Sequence, residues 1–220
     1  LLAAQETVVI GDEHFSSRLT TQVFWLKDDS RQLTAEAVLG PGMQAQFQPF
    51  SGDTLQFGYS PAAYWLRVVL ENRVPRTVEV TMEVRYPLLD EVGFYYQDVD
   101  GVLRSSFAGD HVPVTERDYR VKDFLFPIAL QPDQRQVVYV RVVSGSSLSI
   151  PLYVSTEAGL VESLHQFQWF DGLYFGVAFA MLVYNLSLLL LVRERIYLEY
   201  VVFVLLQLGF IASISGLTSI

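Results

Sequence analysis

The sequence predicts a mainly β protein, a jelly-roll β-sandwich followed by an α-helical transmembrane hairpin. Up to about residue 155, short segments of alternating apolar and polar residues recur between turn-forming residues. Two long apolar runs follow, and charge is almost confined to the part before them. The charged side chains of residues 171–220 are Asp171, Arg193, Glu194, Arg195 and Glu199.

The overall composition limits the kinds of partner. The chain has 220 residues, a net charge of -9 and no cysteine. A nucleic-acid surface needs clustered Lys and Arg, whereas the 15 present here form no run. Without cysteine the chain has neither a disulfide nor a thiolate metal site. We expect no nucleic-acid partner and no cofactor.

The N-terminal segment, residues 1–20, begins with LLAAQ. An apolar stretch that ends in small residues is what a signal peptidase cleaves. These residues are therefore the end of an export signal or, alternatively, a plain fragment boundary.

Residues 21–155 carry the strand signals of the predicted sandwich. In TVEVTMEV the apolar and polar residues alternate, which predicts one buried face and one face in water. Asp100-Gly101 suits a tight hairpin turn, and LTAEAVL before Gly40 predicts a short helix. The other predicted strands are TQVFWLK, AQFQPF, AYWLRVVLEN, EVGFYYQ, VLRSSF, FLFPIAL, QVVYVRVVS and SIPLYV.

The C-terminal part predicts two transmembrane helices, residues 172–192 and 196–215. A juxtamembrane helix at 156–171 precedes them, and a loop at 193–195 joins them. A helix over 172–192 has no charged residue and, at about 1.5 Å per residue, spans about 30 Å of hydrocarbon. The alternative is a buried helical hairpin, but both runs are apolar around the whole helix.

The loop sequence RER predicts the orientation of the hairpin. Short loops rich in Arg and Lys remain in the cytoplasm, so residues 1–170 are expected on the other side of the membrane. Within the first span, Gly172, Gly176 and Ala180 form a stripe of small residues that lets another helix approach. Asn185 adds a polar group at membrane depth. Further helices of the same protein, a second copy in a homodimer or a related receptor are the expected partners, together with the lipid bilayer.

Several motifs together resemble one receptor family. They are YWLRVVLEN, YPLLDEVGFYY, GDHVPVTER, FLFPIAL and GLYFGVAFAMLVYNLSLLLLVRERIYLEY. The sequence resembles the bacterial 7TM receptors with diverse intracellular signalling modules, and residues 21–155 resemble their type-2 extracellular domain. The likeness runs from about Phe24 to the last residue, and the membrane part is its more specific half.

The resemblance implies a periplasmic jelly roll similar to carbohydrate-binding modules, then seven helices in the bacterial inner membrane. It also implies a cytoplasmic output module, such as a histidine kinase, a diguanylate cyclase or a phosphatase. The region printed here would contain the sensory domain and the first two helices, and no enzyme.

A sugar site in such a domain needs exposed aromatic rings beside charged or amide groups. On AYWLRVVLE, Trp65 and Arg67 share the face opposite to Leu66, and they are the first candidates for a ligand platform. Trp65 in the core, with Arg67 paired to Asp90, is the alternative. The further candidates for this ligand site are Arg85, Tyr95, Tyr96 and Tyr119.

Acidic pairs in turns are weaker signals. Asp98 with Asp100, or Asp28 with Asp29, could offer oxygens to calcium, but no complete calcium loop is present. Asp110 and Arg117 lie in one loop and are expected to pair and fix it.

These observations predict a receptor whose sensory domain binds a small molecule or a glycan. A membrane-anchored periplasmic enzyme and a structural subunit of a membrane complex are the alternatives. No H-E-x-x-H or G-x-S-x-G motif supports an enzyme.

Overall fold

The computed structural model describes residues 7–86, 89–109, 124–145 and 147–214, without the side chains of 163–172, 210 and 212–214. The chain divides into two compact units, residues 1–161 and 162–220.

The first unit is a β-sandwich, as the sequence predicts. Thirteen strands lie in its described part, because short edge strands add to the eight or nine that the pattern suggested. They are β1 (Val8–Ile10), β2 (Ser16–Leu19), β3 (Phe24–Asp28), β4 (Gln48–Pro49), β5 (Gln56–Tyr59), β6 (Ala63–Asn72), β7 (Val78–Val84), β8 (Glu91–Gln97), β9 (Leu103–Ala108), β10 (Phe124–Leu130), β11 (Arg135–Val143), β12 (Ser147–Ser149) and β13 (Leu152–Thr156).

Two larger sheets form the sandwich. One sheet has seven strands in the order β4-β3-β6-β11-β8-β9, with β1 parallel to the end of β6. The other has four strands in the order β10-β7-β13-β2, and β5 and β12 make a small third sheet. The main core lies between the larger sheets and contains Leu66, Val80, Phe94 and Leu152. Alternation of residues along each strand thus determines which side chains enter the core.

The tight turn between β8 and β9 is formed as the sequence predicts. Gly101 has a φ angle of 78°, which glycine adopts without a steric penalty. The Asp98 N–H donates to the Val102 carbonyl at 2.9 Å and closes the hairpin.

A second layer covers part of the outer side of the seven-stranded sheet. Residues 33–47, which we call the cover segment, contain the helix α1 (Ala35–Leu39) and a short 3-10 helix (Gln44–Gln46). Thr34 caps α1 by accepting a hydrogen bond from the Ala37 N–H. The apolar side chains of the cover segment bury the sheet beneath them.

The strand β13 passes directly into the long helix α2 (Glu157–Val192). The Thr156 N–H donates to the Phe15 carbonyl at 2.8 Å, and its hydroxyl donates to the Glu13 carbonyl at 2.6 Å. The same hydroxyl accepts from the Gly159 N–H at 3.3 Å and so caps the helix. The last strand and the first helical turn are therefore fixed to the segment that leads into β2.

The helix α2 is continuous through the segments predicted separately as 156–171 and 172–192. Arg193, with a φ angle of 58°, interrupts the helical backbone before α3 (Arg195–Ile214). Among the described residues, Leu173–Val192 is long and apolar enough to cross a membrane. The second span, 196–215, falls mostly on α3 and stays a prediction.

The polar groups of the first span bond within their own helix. The Asn185 side-chain amide donates to the Met181 carbonyl at 2.9 Å, and the Ser187 hydroxyl donates to the Val183 carbonyl at 2.8 Å. A short side chain reaches the carbonyl four residues earlier, so it needs no second helix as a partner.

Candidate ligand-binding face

The outer face of the seven-stranded sheet holds three of the six predicted ligand residues, Trp65, Arg67 and Tyr95, in two rows. Pairing between the strands aligns Leu26, Trp65, Arg141, Gly93 and Phe107 in one row. The neighbouring row is Phe24, Arg67, Tyr139, Tyr95 and Ser105. Trp65 and Arg67 therefore lie on the face opposite to Leu66, as the alternation in the sequence predicts.

Trp65 does not offer an exposed ring on this face. Its exposed fraction is 1%, and it packs with Val38 and Phe47 of the cover segment. Trp65 is thus buried, as the alternative expected, but it lies beneath the cover segment on the outer face and not between the two sheets. The reason is tertiary: the cover segment comes from a stretch about 20 residues earlier in the chain and lies on the strand.

An aromatic series nevertheless leads from Trp65 to the surface. The Trp65 and Tyr95 rings lie 5.3 Å apart, and the Tyr95 and Phe107 rings meet edge to face at 5.7 Å. Tyr95 is 9% exposed and Phe107 is 59% exposed. Phe107 therefore presents the accessible ring of this face.

Gly93 makes room for the Tyr95 ring. A Cβ atom on Gly93 would lie 2.7 Å from the Tyr95 hydroxyl oxygen, closer than real Cβ atoms approach. Phe107 was not among the residues predicted from the sequence. Gly93 was the available signal, because a glycine within a strand often marks a close approach.

Arg67 has no partner within the described part of the chain. Its Nε atom is buried without a hydrogen bond, as are Trp65 Nε1 and Gln44 Oε1. The predicted alternative partner, Asp90, instead accepts a hydrogen bond from the Gly145 N–H at 2.6 Å. The Gln44 side-chain amide donates to the Tyr139 hydroxyl at 2.7 Å, which ties the cover segment to the same row as Arg67.

One ion pair on this face lies close to Tyr95. Arg141 and Glu91 form an ion pair at 3.4 Å beside Gly93. Burial raises the pKa of Tyr95, against the opposing effect of the Arg141 charge. The phenol is therefore neutral near pH 7 and can donate a hydrogen bond.

Arg85 and Tyr96 do not join this face. Arg85 follows the four-stranded sheet, pairs with Glu83 at 2.8 Å and lies 4.0 Å above the Tyr153 ring. Tyr96 packs against the main core, since neighbouring residues of a strand point to opposite faces. Tyr119, Asp110 and Arg117 lie outside the described residues.

The two acidic turns use their carboxylates for backbone hydrogen bonds. Hydrogen bonds, first from Val102, hold the pKa of Asp98 below its usual value despite some desolvation. Burial acts to raise the pKa of Asp28, but hydrogen bonds from Ser30, Leu33 and Arg31 lower it overall. Within the described part of the chain, no three acidic or histidine side chains are placed to hold a metal ion.

Two family models match the chain. Residues 20–156 match the 7TMR-DISM extracellular 2 domain, and residues 167–220 match the 7TM diverse intracellular signalling region. The chain belongs to the 7TMR-DISM family. The resemblance deduced from the sequence motifs is confirmed, and the chain is a part of a membrane receptor with an extracellular sensory domain.

Solved structures that are similar to this 7TMR-DISM chain include two of carbohydrate-binding modules. TmCBM61 in complex with β-1,4-galactotriose is 11% identical, with a TM-score of 0.30, and the match covers 65% of this chain and 88% of that one. A structure of carbohydrate-binding modules from the β-sandwich superfamily is 11% identical, with a TM-score of 0.25, and covers 64% and 54%. No curated protein matches the chain.

Proposed function

We propose that this chain is the sensory input region of a bacterial inner-membrane receptor. Residues 1–170 lie in the periplasm, and the outer face of the seven-stranded sheet binds a small molecule or a glycan. The signal passes through the membrane helices to a cytoplasmic output module, namely a histidine kinase, a diguanylate cyclase or a phosphatase.

The direct passage from β13 into α2 carries this proposal. Thr156 ends the strand, caps the helix and bonds to the segment before β2, so the sensory domain and the helix share one hydrogen-bonded junction. A flexible linker would average out small displacements of the strand. A bonded junction transmits a displacement if the ligand binds one arrangement of the domain better than another.

The exposed end of the aromatic series supports the ligand side of the proposal. Phe107 presents an aromatic ring. Arg141 lies in the same row, Tyr95 lies in the neighbouring row, and Glu91 forms an ion pair with Arg141. Apolar ring faces with adjacent hydrogen-bonding groups suit the two kinds of surface that a sugar presents.

The helix stripe of Gly172, Gly176 and Ala180 is proposed to pack against other helices of the receptor or against a second copy. All three lie on α2 at a spacing of four residues. Small residues at this spacing let helix backbones approach closely in a membrane.

Single-thiol labelling tests the membrane arrangement. Because the chain has no cysteine, Tyr59→Cys and Glu194→Cys each create one reactive thiol. Tyr59 is 83% exposed on β5, and Glu194 is exposed between α2 and α3. A membrane-impermeant maleimide should label Tyr59→Cys in intact spheroplasts and label Glu194→Cys only after lysis. The reverse pattern would overturn the proposal.

A further inference from the structure

We infer that the ligand of the outer face carries a carboxylate and at least one hydroxyl group, as a sugar acid does, and that Arg67 contacts the carboxylate. This inference rests on the proposed function, because it concerns the ligand of the same face.

Arg67 differs from the other arginines that the structure describes in the sandwich. Arg18 and Arg31 bond to Thr54 and to the Pro61 carbonyl, respectively. The others form ion pairs with acidic side chains, and they are Arg73, Arg76, Arg85, Arg104, Arg135 and Arg141. Arg67 has neither kind of partner within the described residues. Its guanidinium thus lacks an acceptor among the described residues.

The immediate neighbours of Arg67 leave its charge uncompensated. Across the strands it faces Phe24 and Tyr139, and along its own strand it lies between Trp65 and Val69 on the same face. None of these side chains carries a charge at neutral pH. A half-buried cation among such uncharged strand neighbours attracts an anionic oxygen group strongly, because charge-assisted hydrogen bonds are about twice as strong as neutral ones.

The single charge favours a carboxylate over a phosphate. A guanidinium binds a carboxylate with two parallel hydrogen bonds and balances its charge. A phosphate monoester carries about two negative charges near pH 7, so one would be left unbalanced beside Trp65 and Phe24. A partly buried, unbalanced charge is unfavourable.

The remaining unpartnered atoms indicate hydroxyl groups on the ligand. Trp65 Nε1 is a buried donor and Gln44 Oε1 is a buried acceptor, so a ligand reaches these two atoms only where the cover segment is displaced from the sheet. Gln44 bonds to Tyr139, the cross-strand neighbour of Arg67, so these atoms belong to the same patch of the face. A carboxylate alone can accept from a donor but cannot donate to Gln44. A hydroxyl group can do both, and a sugar acid supplies both groups.

The test compares two sugars that differ in one group. The chain in nanodiscs is titrated with D-glucuronate and with D-glucose, and the resonances of the Trp65 indole N–H and the Arg67 Nε–H are followed by NMR. We expect both resonances to shift with D-glucuronate and its affinity to exceed that of D-glucose about tenfold or more, from the strength of one charge-assisted hydrogen bond. Acetate should bind more weakly than D-glucuronate, since it lacks hydroxyl groups.

Arg67→Gln should lower the affinity for D-glucuronate to that for D-glucose. Arg73→Gln is the matched control, because it removes one positive charge from an exposed arginine just after the same strand, and it should leave both affinities unchanged. If Arg67→Gln does not fold, the two sugars on the unaltered chain still decide the question.

Three results would overturn the inference: equal affinities for the two sugars, no shift with D-glucuronate, or tighter binding of inorganic phosphate. Binding of D-glucose with shifts at Tyr95 and Phe107 but without a preference for D-glucuronate would overturn the carboxylate and leave the receptor standing. The thiol labelling tests the receptor independently of any sugar.

Discussion

The outer faces of the two large sheets both contain buried polar groups, but only one of them satisfies these groups internally. On the four-stranded sheet, Glu83 is 1% exposed, accepts a hydrogen bond from the Ser155 hydroxyl and pairs with Arg85. On the seven-stranded sheet, Arg67 and Trp65 keep buried donors without acceptors. Burial of a polar group is therefore no sign of function by itself, whereas an unsatisfied one needs an explanation.

The cost of desolvation explains why the two outer faces differ in how their buried polar groups are satisfied. A buried carboxylate that keeps an ion pair and a hydrogen bond recovers most of what it loses on leaving water. The Ser16 and Ser155 hydroxyls, 3.2 Å apart, extend that network toward β2. Such a closed network holds one arrangement, whereas the polar atoms around Arg67 have no partner among the described residues.

The largest expected change in stability comes from removing Glu83 from its hydrogen bond with Ser155 and its ion pair with Arg85. Glu83→Ala removes the acceptor of Ser155 and the ion-pair partner of Arg85. We expect the free energy of unfolding to fall by about 3 kcal/mol, because breaking a buried pair leaves one charge uncompensated. Urea unfolding of the chain in mild detergent, followed by near-ultraviolet circular dichroism, measures this change.

Glu91→Ala is the control for that experiment. Glu91 pairs with Arg141 on the other sheet, but its side chain is 61% exposed. An exposed pair contributes at most about 1 kcal/mol, so the loss should be much smaller. Equal losses in the two variants would show that the four-stranded sheet has no special network.

Sequence reasoning located the strands and their inward faces better than their outward faces. Alternation correctly placed Leu66 inside and Trp65 outside the main core, since this depends only on the period of a strand. The same pattern predicted Glu83 in water, and that was wrong. Arg85 pairs with Glu83 and Ser155 of β13 donates a hydrogen bond to it, and the contact with a distant strand cannot be deduced from alternation within one strand.

The candidate site shows the same limit. Arg67 was identified from its position beside Trp65 on one face. The burial of Trp65 depends on Val38 and Phe47, and the exposure of Phe107 depends on its place on an edge strand. A short helix was predicted before Gly40, but nothing in its sequence says on which sheet it packs.

The second-largest expected change in stability tests whether the first turn of α2 packs tightly against the segment before β2. A Cβ atom on Gly159 would lie 2.3 Å from the Phe15 carbonyl oxygen, which belongs to the backbone and cannot move freely. We expect Gly159→Ala to lower the free energy of unfolding by about 2 kcal/mol through overpacking. Thermal unfolding in mild detergent measures it as a lower Tm.

Gly209→Ala in α3 is the control. Among the described residues, no atom beyond the neighbouring helical backbone lies within 4 Å of the added Cβ, and Ala is favoured over Gly in a helix interior by about 0.5–1 kcal/mol. The two glycine variants should therefore move the Tm in opposite directions. A similar Tm for both would mean that the junction at Thr156 is loose, which would weaken the proposed route for the signal.

The smallest expected effect has the opposite sign and bears most directly on the difference between the two faces. Arg67→Met replaces an unpartnered cation with an apolar side chain of similar length among Phe24, Trp65 and Val69. Without ligand, we expect the free energy of unfolding to rise by about 1 kcal/mol, because well-packed apolar residues often replace buried charges without loss. Urea unfolding without ligand measures this change. Arg85→Met, which removes the ion-pair partner of Glu83, should lower stability instead.

If Arg67→Met destabilises the chain as much as Arg85→Met does, then Arg67 is a structural residue like Arg85. In that case the unsatisfied donors of the seven-stranded sheet would no longer distinguish a binding face.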